Sequence, residues 1–192
     1  MGKFTRCNTR LDDVVIIRPS VFRDKRGFFL ESYNRRELAE IGIYDEFVQD
    51  NVSRSRKGVV RGLHYQAGQV QAKLVQVVNG VIFDVIVDLR NGSPTYGGHL
   101  GIEIDTGDPC LLYVPAGFAH GFMALEDNTE VMYKVTDFYA PQYDAGIRWD
   151  DPDLCIHWPI EAHNIDNVIL SPKDAALPLL REIRSPFRYQ DR

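Results

Sequence analysis

The sequence predicts an all-β protein, a sandwich or barrel of many short strands with few helices. Short runs rich in Val, Ile, Phe and Tyr recur along the chain between turn residues, as half-buried strands require. The pair Asn79-Gly80 lies between two apolar runs, and Asn-Gly is a strong local signal for a type I′ hairpin turn. The strands are expected at residues 14–19, 27–33, 47–53, 59–66, 73–78, 81–89, 99–104, 110–114, 121–125 and 130–138.

Helix signals are scarce. A first short helix is predicted at residues 35–41, with Asn34 as its N-cap. A second is predicted to begin at Pro172, after Ser171 as cap. Asp174 stands three residues after that cap, where a carboxylate is a good capping partner. This residue therefore has a purely structural interpretation beside any functional one.

Composition limits the classes of function. One domain covering residues 1–192 is expected, because no linker or repeat divides the chain. The net charge of −5 disfavours nucleic acid and anionic membranes as partners. Cys7, Cys110 and Cys155 are scattered without metal-ligand spacing, which indicates free thiols in a reducing compartment. The chain shows neither an apolar leader nor a long apolar run. The expected location is therefore the cytoplasm.

The segment at residues 61–66, R-G-L-H-Y-Q, is the most informative for chemistry. Strand alternation puts His64 and Gln66 on one face, with Leu63 and Tyr65 on the other. A polar His-x-Gln face opposite an apolar face suggests a lined cavity, in which histidine is a usable general base. A solvent-facing pair on an edge strand explains the same pattern.

The segment at residues 115–121, P-A-G-F-A-H-G, predicts a tight turn that leads into a strand and presents His120. It resembles the second motif of the cupin superfamily, a β-barrel class in which this histidine often binds a metal. The first cupin motif normally carries an H-x-H pair, whereas the matching strand here reads H-Y-Q. Two lone histidines make a weak metal site, so we expect no metal.

Aromatic, basic and amide side chains supply further candidates. Tyr133 and Tyr139 are six residues apart and would share one face of an extended strand. One could donate a proton and the other could stack on a ring, although an aromatic core stripe is the alternative. Lys73 and the amides Gln49 and Asn51 could hold a diphosphate or a base. Each could equally be solvated surface.

Taken in order, these segments resemble the dTDP-4-dehydrorhamnose 3,5-epimerase family over nearly the whole chain, from about residue 14 to residue 180. The matching pieces are D-K-R-G-F-F-L-E-S-Y at 24–33, Q-D-N-V-S-R-S at 49–55, V-V-R-G-L-H-Y-Q at 59–66, A-K-L-V-Q-V-V-N-G-V-I-F-D-V-I-V-D-L-R at 72–90, G-S-P-T-Y-G at 92–97, V-P-A-G-F-A-H-G-F at 114–122, Y-K-V-T-D-F-Y-A-P at 133–141, G-I-R-W-D-D-P at 146–152 and L-S-P-K-D-A-A at 170–176.

The resemblance implies a cupin-type double-stranded β-helix, or jelly-roll barrel, that forms a homodimer. It implies that a dTDP-4-dehydro-6-deoxy-D-glucose substrate is epimerised at carbons 3 and 5 to dTDP-4-dehydro-L-rhamnose, with no cofactor. His64 with Asp174 would be the base and Tyr133 the acid on the opposite face of the sugar. Lys73 would steady the enolate oxygen, and Tyr139 would stack on thymine.

Further positions match family residues that contact the nucleotide sugar. These are Arg26, Phe28, Glu31, Gln49, Asp50, Asn51, Arg61, Lys73, His120, Asp144 and Lys173. Asp84 matches a pocket position of less defined role. Arg61 and His64 are three residues apart, so an ideal strand would point them to opposite faces. A bulge at Gly62 is therefore expected to re-aim one of them.

Several departures leave alternatives open. Val52, Ala72, Ala116 and His157 replace residues that are common in the family, and 161–168 resembles a small insertion. None removes a predicted acid, base or oxyanion partner, but they leave open a related enzyme that epimerises only one carbon. A metal-dependent cupin and a non-catalytic sugar-binding cupin are the more distant alternatives.

Overall fold

Residues 2–190 are described in the computed structural model of the chain, so the ends of the predicted domain, residues 1 and 191–192, lie outside the described part. Short antiparallel strands dominate this range. The strands are β1 (Phe4–Asn8), β2 (Val15–Pro19), β3 (Phe22–Asp24), β4 (Gly27–Phe29), β5 (Gln49–Ser55), β6 (Val60–Gln66), β7 (Lys73–Asn79), β8 (Val81–Asp88), β9 (His99–Asp105), β10 (Leu111–Val114), β11 (Phe118–Ala124), β12 (Thr129–Val135) and β13 (Asp144–Gly146).

The strands form two large sheets and a separate hairpin. The six-stranded sheet has the order β1-β2-β10-β7-β12-β5, and the five-stranded sheet has the order β13-β6-β11-β8-β9. Strands β3 and β4 pair with each other as the hairpin. The predicted all-β jelly roll is confirmed, although the two sheets stay separate instead of closing into one barrel.

The main core lies between the two sheets. Val75, Leu112 and Val131 of the six-stranded sheet belong to the same buried cluster as Ile86 and Phe122 of the five-stranded sheet. Because every second side chain of a strand points inward, each strand contributes alternate apolar residues to this layer. Burial of these side chains fixes the spacing of the sheets, and the site described below lies between the same sheets.

Helices and loops cover parts of the outer faces. Helix α1 (Arg35–Glu40) begins after Asn34, whose side chain accepts hydrogen bonds from the backbone N–H groups of Arg36 and Glu37. Its buried Leu38 packs in a cluster on the six-stranded sheet. Helix α2 (Pro172–Ala175) follows the cap Ser171. Both predicted helices are confirmed. Helix α1 ends one residue before the predicted residue 41, and α2 begins at Pro172 as predicted.

The predicted Asn79-Gly80 hairpin is wrong. Strand β7 pairs with β10 and β12, whereas β8 pairs with β9 and β11. The chain therefore crosses from one sheet to the other at Gly80, whose φ of +80° suits glycine. A Cβ at this position would lie 2.5 Å from Thr129 Oγ1. The Asn-Gly signal marks a tight turn, but it cannot distinguish a hairpin from a corner between sheets.

Some strand boundaries also differ from the prediction. The strand expected at 27–33 ends at Phe29, and the one expected at 130–138 ends at Val135. Tyr139 therefore lies beyond the strand that carries Tyr133. Strand β11 begins at Phe118, before the expected 121. Strands β1, β3 and β13 were not predicted, because three to five residues with charged or small side chains give little β signal.

Candidate active site

A cavity of about 320 Å³ lies between the two sheets and is bordered by α2. Strands β6, β11 and β13 contribute side chains from one sheet, and β5, β7 and β12 from the other. Most of the predicted site residues meet here. Those that line the cavity are Arg61, His64, Lys73, His120, Tyr133, Tyr139, Asp144, Lys173 and Asp174.

Strand β6 carries two of these residues because it is irregular. Its pairing with β11 joins His64 to His120 and Arg61 to Phe122, so Gly62 and Leu63 stand opposite the single residue Gly121. This is the bulge that was expected at Gly62. A Cβ on Gly62 would lie 2.5 Å from the Gly121 Cα, so glycine is needed for the close approach. Arg61 and His64 consequently reach the same cavity.

His64 and Asp174 form a hydrogen-bonded pair at the cavity wall. His64 Nε2 lies 2.5 Å from Asp174 Oδ1, and the two side chains are 29% and 6% exposed. Ser171 Oγ accepts a hydrogen bond from the Asp174 backbone N–H, which fixes the start of α2. Burial would raise the pKa of the Asp174 carboxyl, but the hydrogen bond and charge of His64, together with Ser171 and the charge of Lys173, outweigh it and lower that pKa.

A second histidine and carboxylate pair lies beside the first. His120 Nε2 is 3.0 Å from Asp84 Oδ1 and 2.8 Å from Oδ2. The side chains are 7% and 0% exposed, so this pair is more deeply enclosed. Burial raises the pKa of the Asp84 carboxyl, against the attraction of His120 and Lys73.

Lys73 reaches the first pair from the opposite sheet. Its Nζ donates a hydrogen bond of 3.3 Å to the backbone oxygen of His64. Burial lowers the Lys73 pKa to about 8, while the charges of Asp84 and Asp144 oppose this shift. Lys73 therefore places a cation that titrates just above neutral pH against the wall that holds His64.

Tyr133 reaches the cavity from the opposite sheet. It lies on β12, between Val75 of β7 and Asn51 of β5, whereas His64 lies on β6 of the other sheet. Burial raises the pKa of the Tyr133 phenol, so the hydroxyl keeps its proton at neutral pH. A proton donor and a candidate base thus face one cavity from different sheets.

Hydrogen bonds and an ion pair hold the side chains that line the outer part of the cavity. The Tyr139 hydroxyl donates a hydrogen bond of 2.9 Å to Asp144 Oδ2, which also forms an ion pair with Lys173. Arg61 Nε donates to Ser55 Oγ at 3.0 Å, and its terminal nitrogen donates to the Arg54 carbonyl at 3.2 Å. Arg61 and Lys173 supply the positive charge that a phosphate would need.

The two predicted amides lie next to this region. Gln49 Nε2 donates to Asn51 Oδ1 at 2.8 Å, and Gln49 Oε1 accepts from the Tyr139 backbone N–H at 3.0 Å. Asp50 alternates to the other face of β5, where both carboxylate oxygens accept from Lys134 Nζ at 2.8 Å. The structure does not bring Asp50 into the cavity of its own chain.

Three other predicted residues also lie away from the cavity of the same chain. Arg26 bonds Asp24 within the β3–β4 hairpin, and Phe28 in that hairpin is exposed. Glu31 forms an ion pair of 2.6 Å with Lys3. Their contact with substrate stays a prediction, and within one chain they have local partners instead.

Seven lining residues were not among the predicted site residues: Ser53, Tyr65, Gln66, Gln71, Gly121, Phe122 and Ser171. Gln66 shares the face of His64 by strand alternation, and Ser53 shares the face of Asn51. Both signals are present in the sequence. Ser53 Oγ is buried without a hydrogen-bond partner within the described residues, so it is available to a bound molecule.

Residues 2–190 contain no group of three or more His, Cys, Asp or Glu side chains arranged to hold a metal ion. Among their helices, none is both long and apolar enough to cross a membrane. The thiols of Cys7, Cys110 and Cys155 are free, in agreement with their scattered spacing.

Comparison with known proteins assigns the chain to a family. The family model described as dTDP-4-dehydrorhamnose 3,5-epimerase matches residues 8–182. A relative of that name from Methanothermobacter thermautotrophicus is 48% identical over 182 residues, covering 95% of this chain and 97% of the relative. The Pseudomonas aeruginosa relative is 50% identical over 165 residues, covering 85% and 89%.

Solved structures give the same assignment. A dTDP-6-deoxy-D-glucose-3,5-epimerase from Legionella pneumophila, solved with dTDP-4-keto-L-rhamnose, is 46% identical with a TM-score of 0.93, covering 98% of this chain and 100% of that one. A 3'-monoepimerase from Streptomyces bikiniensis, solved with dTDP-quinovose, is 30% identical with a TM-score of 0.82, covering 90% and 86%. The chain belongs to the dTDP-4-dehydrorhamnose 3,5-epimerase family.

Proposed function

We propose that this protein is an isomerase that converts dTDP-4-dehydro-6-deoxy-D-glucose to dTDP-4-dehydro-L-rhamnose by inverting carbons 3 and 5. The observation that carries the proposal is the arrangement of the cavity. A histidine–carboxylate pair, His64 with Asp174, faces it from one sheet, and the phenol of Tyr133 faces it from the other. Family membership supplies the substrate class.

His64 is the proposed base. A hydrogen on the carbon next to a ketone is weakly acidic, and its removal leaves an enolate. The contact between His64 Nε2 and Asp174 orients the ring, leaves the other ring nitrogen to take the proton, and stabilises the imidazolium that results. The lowered pKa of the Asp174 carboxyl keeps this partner charged at neutral pH.

Lys73 is the proposed partner of the enolate oxygen. A cation aimed at the atom where charge develops lowers the barrier to proton removal. Lys73 lies on the sheet opposite His64, but its Nζ atom donates a hydrogen bond to the His64 backbone oxygen, so the cation lies close to the base. The enclosed position that lowers the Lys73 pKa also strengthens its attraction for an oxyanion.

Tyr133 is the proposed acid. Inversion requires that the new proton arrive on the face opposite the base, and a group on the other sheet meets this requirement. The phenol gives its proton to the carbon, and the proton taken by His64 passes to solvent. Water then reprotonates the phenolate, so each cycle ends with the enzyme unchanged and no electron transferred.

The same proposal assigns the nucleotide to the outer part of the cavity. Arg61 and Lys173 would hold the diphosphate, because arginine and lysine suit phosphate oxygens by charge and geometry, and the more deeply enclosed His120 would contact the nucleotide sugar. Tyr139 would stack on thymine. Gln49 and Asn51 lie beside Tyr139 and would contact the base or the sugar.

The reaction needs no redox step and Lys73 is the proposed partner of the enolate oxygen, so we propose that neither a nicotinamide nor a metal takes part. Purified enzyme dialysed against EDTA should keep its activity. A loss that added Zn²⁺ or Mn²⁺ restores would contradict this part of the proposal and favour a metal-dependent cupin.

One experiment tests the reaction and its extent. The enzyme is incubated with the substrate in heavy water, and proton NMR counts deuterium at carbons 3 and 5. The 3,5-epimerase predicts deuterium at both carbons together with the L-configured product. Deuterium at one carbon only would identify a single-carbon epimerase. Binding without exchange at either carbon would identify a non-catalytic sugar-binding protein.

We further propose a two-fold homodimer in the cytoplasm. The β3–β4 hairpin exposes Phe22, Phe28 and Phe29, at 61%, 53% and 66%, and such a hairpin favours pairing with a second copy. In that dimer Arg26, Phe28 and Glu31 would approach the partner's cavity. Light scattering at micromolar concentration should give the mass of a dimer, and a monomer would contradict the proposal.

A further inference from the structure

One buried glutamine, Gln66, holds two loops beside the cavity. It is 5% exposed and ends strand β6, two residues after His64. Its Nε2 donates to the backbone oxygens of Gln69 at 2.7 Å and of Phe138 at 3.2 Å. Its Oε1 accepts from the backbone N–H of Ala140 at 2.7 Å.

These contacts bracket Tyr139. The carbonyl of the residue before it and the N–H of the residue after it both bond to the Gln66 side chain. Tyr139 itself is 55% exposed and lies beyond the end of β12 at Val135, so strand pairing does not fix its position. Asp144, which pairs with Gln66 across β13 and β6, accepts a hydrogen bond from the Tyr139 hydroxyl, while Gln66 bonds the backbone on either side of Tyr139.

The chemistry of these partners requires an amide. Two carbonyl oxygens need donors and one N–H group needs an acceptor, and a glutamine side chain supplies two N–H donors and one oxygen. A carboxylate would set its charge against both carbonyls, and an apolar side chain would leave all three groups without partners. Unpaired buried backbone groups are costly, so either change should release the segment around Tyr139.

We propose that Gln66 is a positioning residue, which holds Tyr139 over the cavity and thereby sets the affinity for the nucleotide. This inference rests on the proposed function, because it assumes that Tyr139 stacks on the base of a bound dTDP-sugar. Gln66 would thus link strand β6, which carries the base His64, to the part of the cavity that binds the nucleotide.

The first test replaces Gln66 by Leu, which has a similar volume and no polar atoms. We expect dTDP to bind about tenfold more weakly by titration calorimetry, the loss equivalent to one or two hydrogen bonds. KM should rise by a similar factor, while kcat stays within about threefold of the parent, because loss of uniform binding raises KM alone. A role in general stability would instead lower the thermal midpoint and leave dTDP affinity unchanged.

The decisive test is a double-mutant cycle with Tyr139→Ala. If Gln66 acts through Tyr139, adding Gln66→Leu to Tyr139→Ala should weaken dTDP binding by less than about twofold further. If the full tenfold effect persists without Tyr139, the inference is overturned. Gln69→Asn is the matched control: it alters a side chain of the same loop, leaves the Gln69 carbonyl in place, and should bind dTDP like the parent.

Two further measurements protect the test against misfolding. Gln66→Glu keeps the acceptor for Ala140 and loses the two donors, so it serves if the leucine variant does not fold. Hydrogen exchange of the Ala140 amide should be faster in Gln66→Leu than in the parent and unchanged in Gln69→Asn. This measurement needs no bound ligand, and equal exchange rates of the Ala140 amide in the parent and in Gln66→Leu would contradict the inference. If the parent itself fails to bind dTDP, the proposed function fails and this inference with it.

Discussion

Two histidine–carboxylate pairs stand side by side in the cavity, made from the same residue types. His64 and His120 are direct partners in the pairing of β6 with β11. The carboxylate of the first pair, Asp174, comes from helix α2, and that of the second, Asp84, from the neighbouring strand β8. In the first pair, the histidine side chain is 29% exposed, whereas in the second it is 7% exposed.

The difference shows how surroundings assign roles to identical groups. His64 contacts its carboxylate through Oδ1, and its side chain stays partly exposed at the cavity. His120 is enclosed, and its Nε2 meets both oxygens of Asp84. The pKa of the Asp174 carboxyl is lowered and that of the Asp84 carboxyl is raised. The first pair is therefore suited to exchange a proton with substrate, and the second to hold a fixed geometry.

The largest expected effect separates the two histidines. In both His64→Asn and His120→Asn, the new amide can still donate to the neighbouring carboxylate, so the variants are matched. His64→Asn should lose epimerisation by about 10²–10⁴-fold or more, the usual contribution of a general base. His120→Asn should mainly raise KM. Steady-state kinetics of the two variants checks this, and comparable losses of kcat would mean that both histidines take part in proton transfer.

A smaller effect concerns Lys73, whose Nζ donates a hydrogen bond to the backbone oxygen of His64. If its cation stabilises the enolate, kcat/KM should fall as pH rises through about 8, the Lys73 pKa, by about tenfold for each further pH unit. Tyr133 does not titrate there, because burial raises its pKa above the ordinary value of 10.0. Lys73→Arg stays charged and should lose this alkaline limb. An unchanged limb in that variant would assign the titration to another group.

The smallest expected effect concerns stability. The Asp174 pKa is lowered on folding, so its contribution is present above the unfolded value of 3.8 and is lost as pH falls through the folded pKa. The Asp84 pKa is raised, so its ionisation destabilises the fold as pH rises above 3.8. At neutral pH, Asp174→Asn should therefore lower the thermal midpoint, because the stabilising ionisation is lost. Asp84→Asn should raise it, because the destabilising ionisation is removed. Both midpoints are measured as a function of pH. Shifts of the same sign would contradict the contrast.

Much of the fold follows from local sequence, but the connections between sheets do not. The β-branched and aromatic residues of four runs predict the strands that the structure shows as β6, β7, β8 and β12. The Asn79-Gly80 turn is equally visible, yet whether the next strand pairs with the last or crosses to the other sheet depends on packing between distant residues. Strand β13 has only the residues D-A-G and forms because β6 offers it an edge.

The site likewise combines features that local sequence predicts with contacts between residues that are distant in the sequence. Alternation placed His64 and Gln66 on one face, and the three-residue spacing of Arg61 and His64 demanded a bulge. No local rule joins His64 to Asp174, which is 110 residues away; that pairing came from the family resemblance. The capping interpretation of Asp174 was partly right, because Ser171 accepts from its backbone N–H while its side chain turns to His64.

The measurement that tests the account most directly follows proton transfer in Tyr133→Phe, with His64→Asn as its counterpart. Each variant is incubated with the substrate in heavy water, and NMR records deuterium at carbons 3 and 5 and the configuration of each carbon. Tyr133→Phe should exchange hydrogen for deuterium with little inversion, because His64 still forms the enolate and returns a deuteron to the same face. His64→Asn should show neither. Inversion by Tyr133→Phe at nearly the parental rate, or exchange in His64→Asn, would contradict an acid and a base on opposite faces.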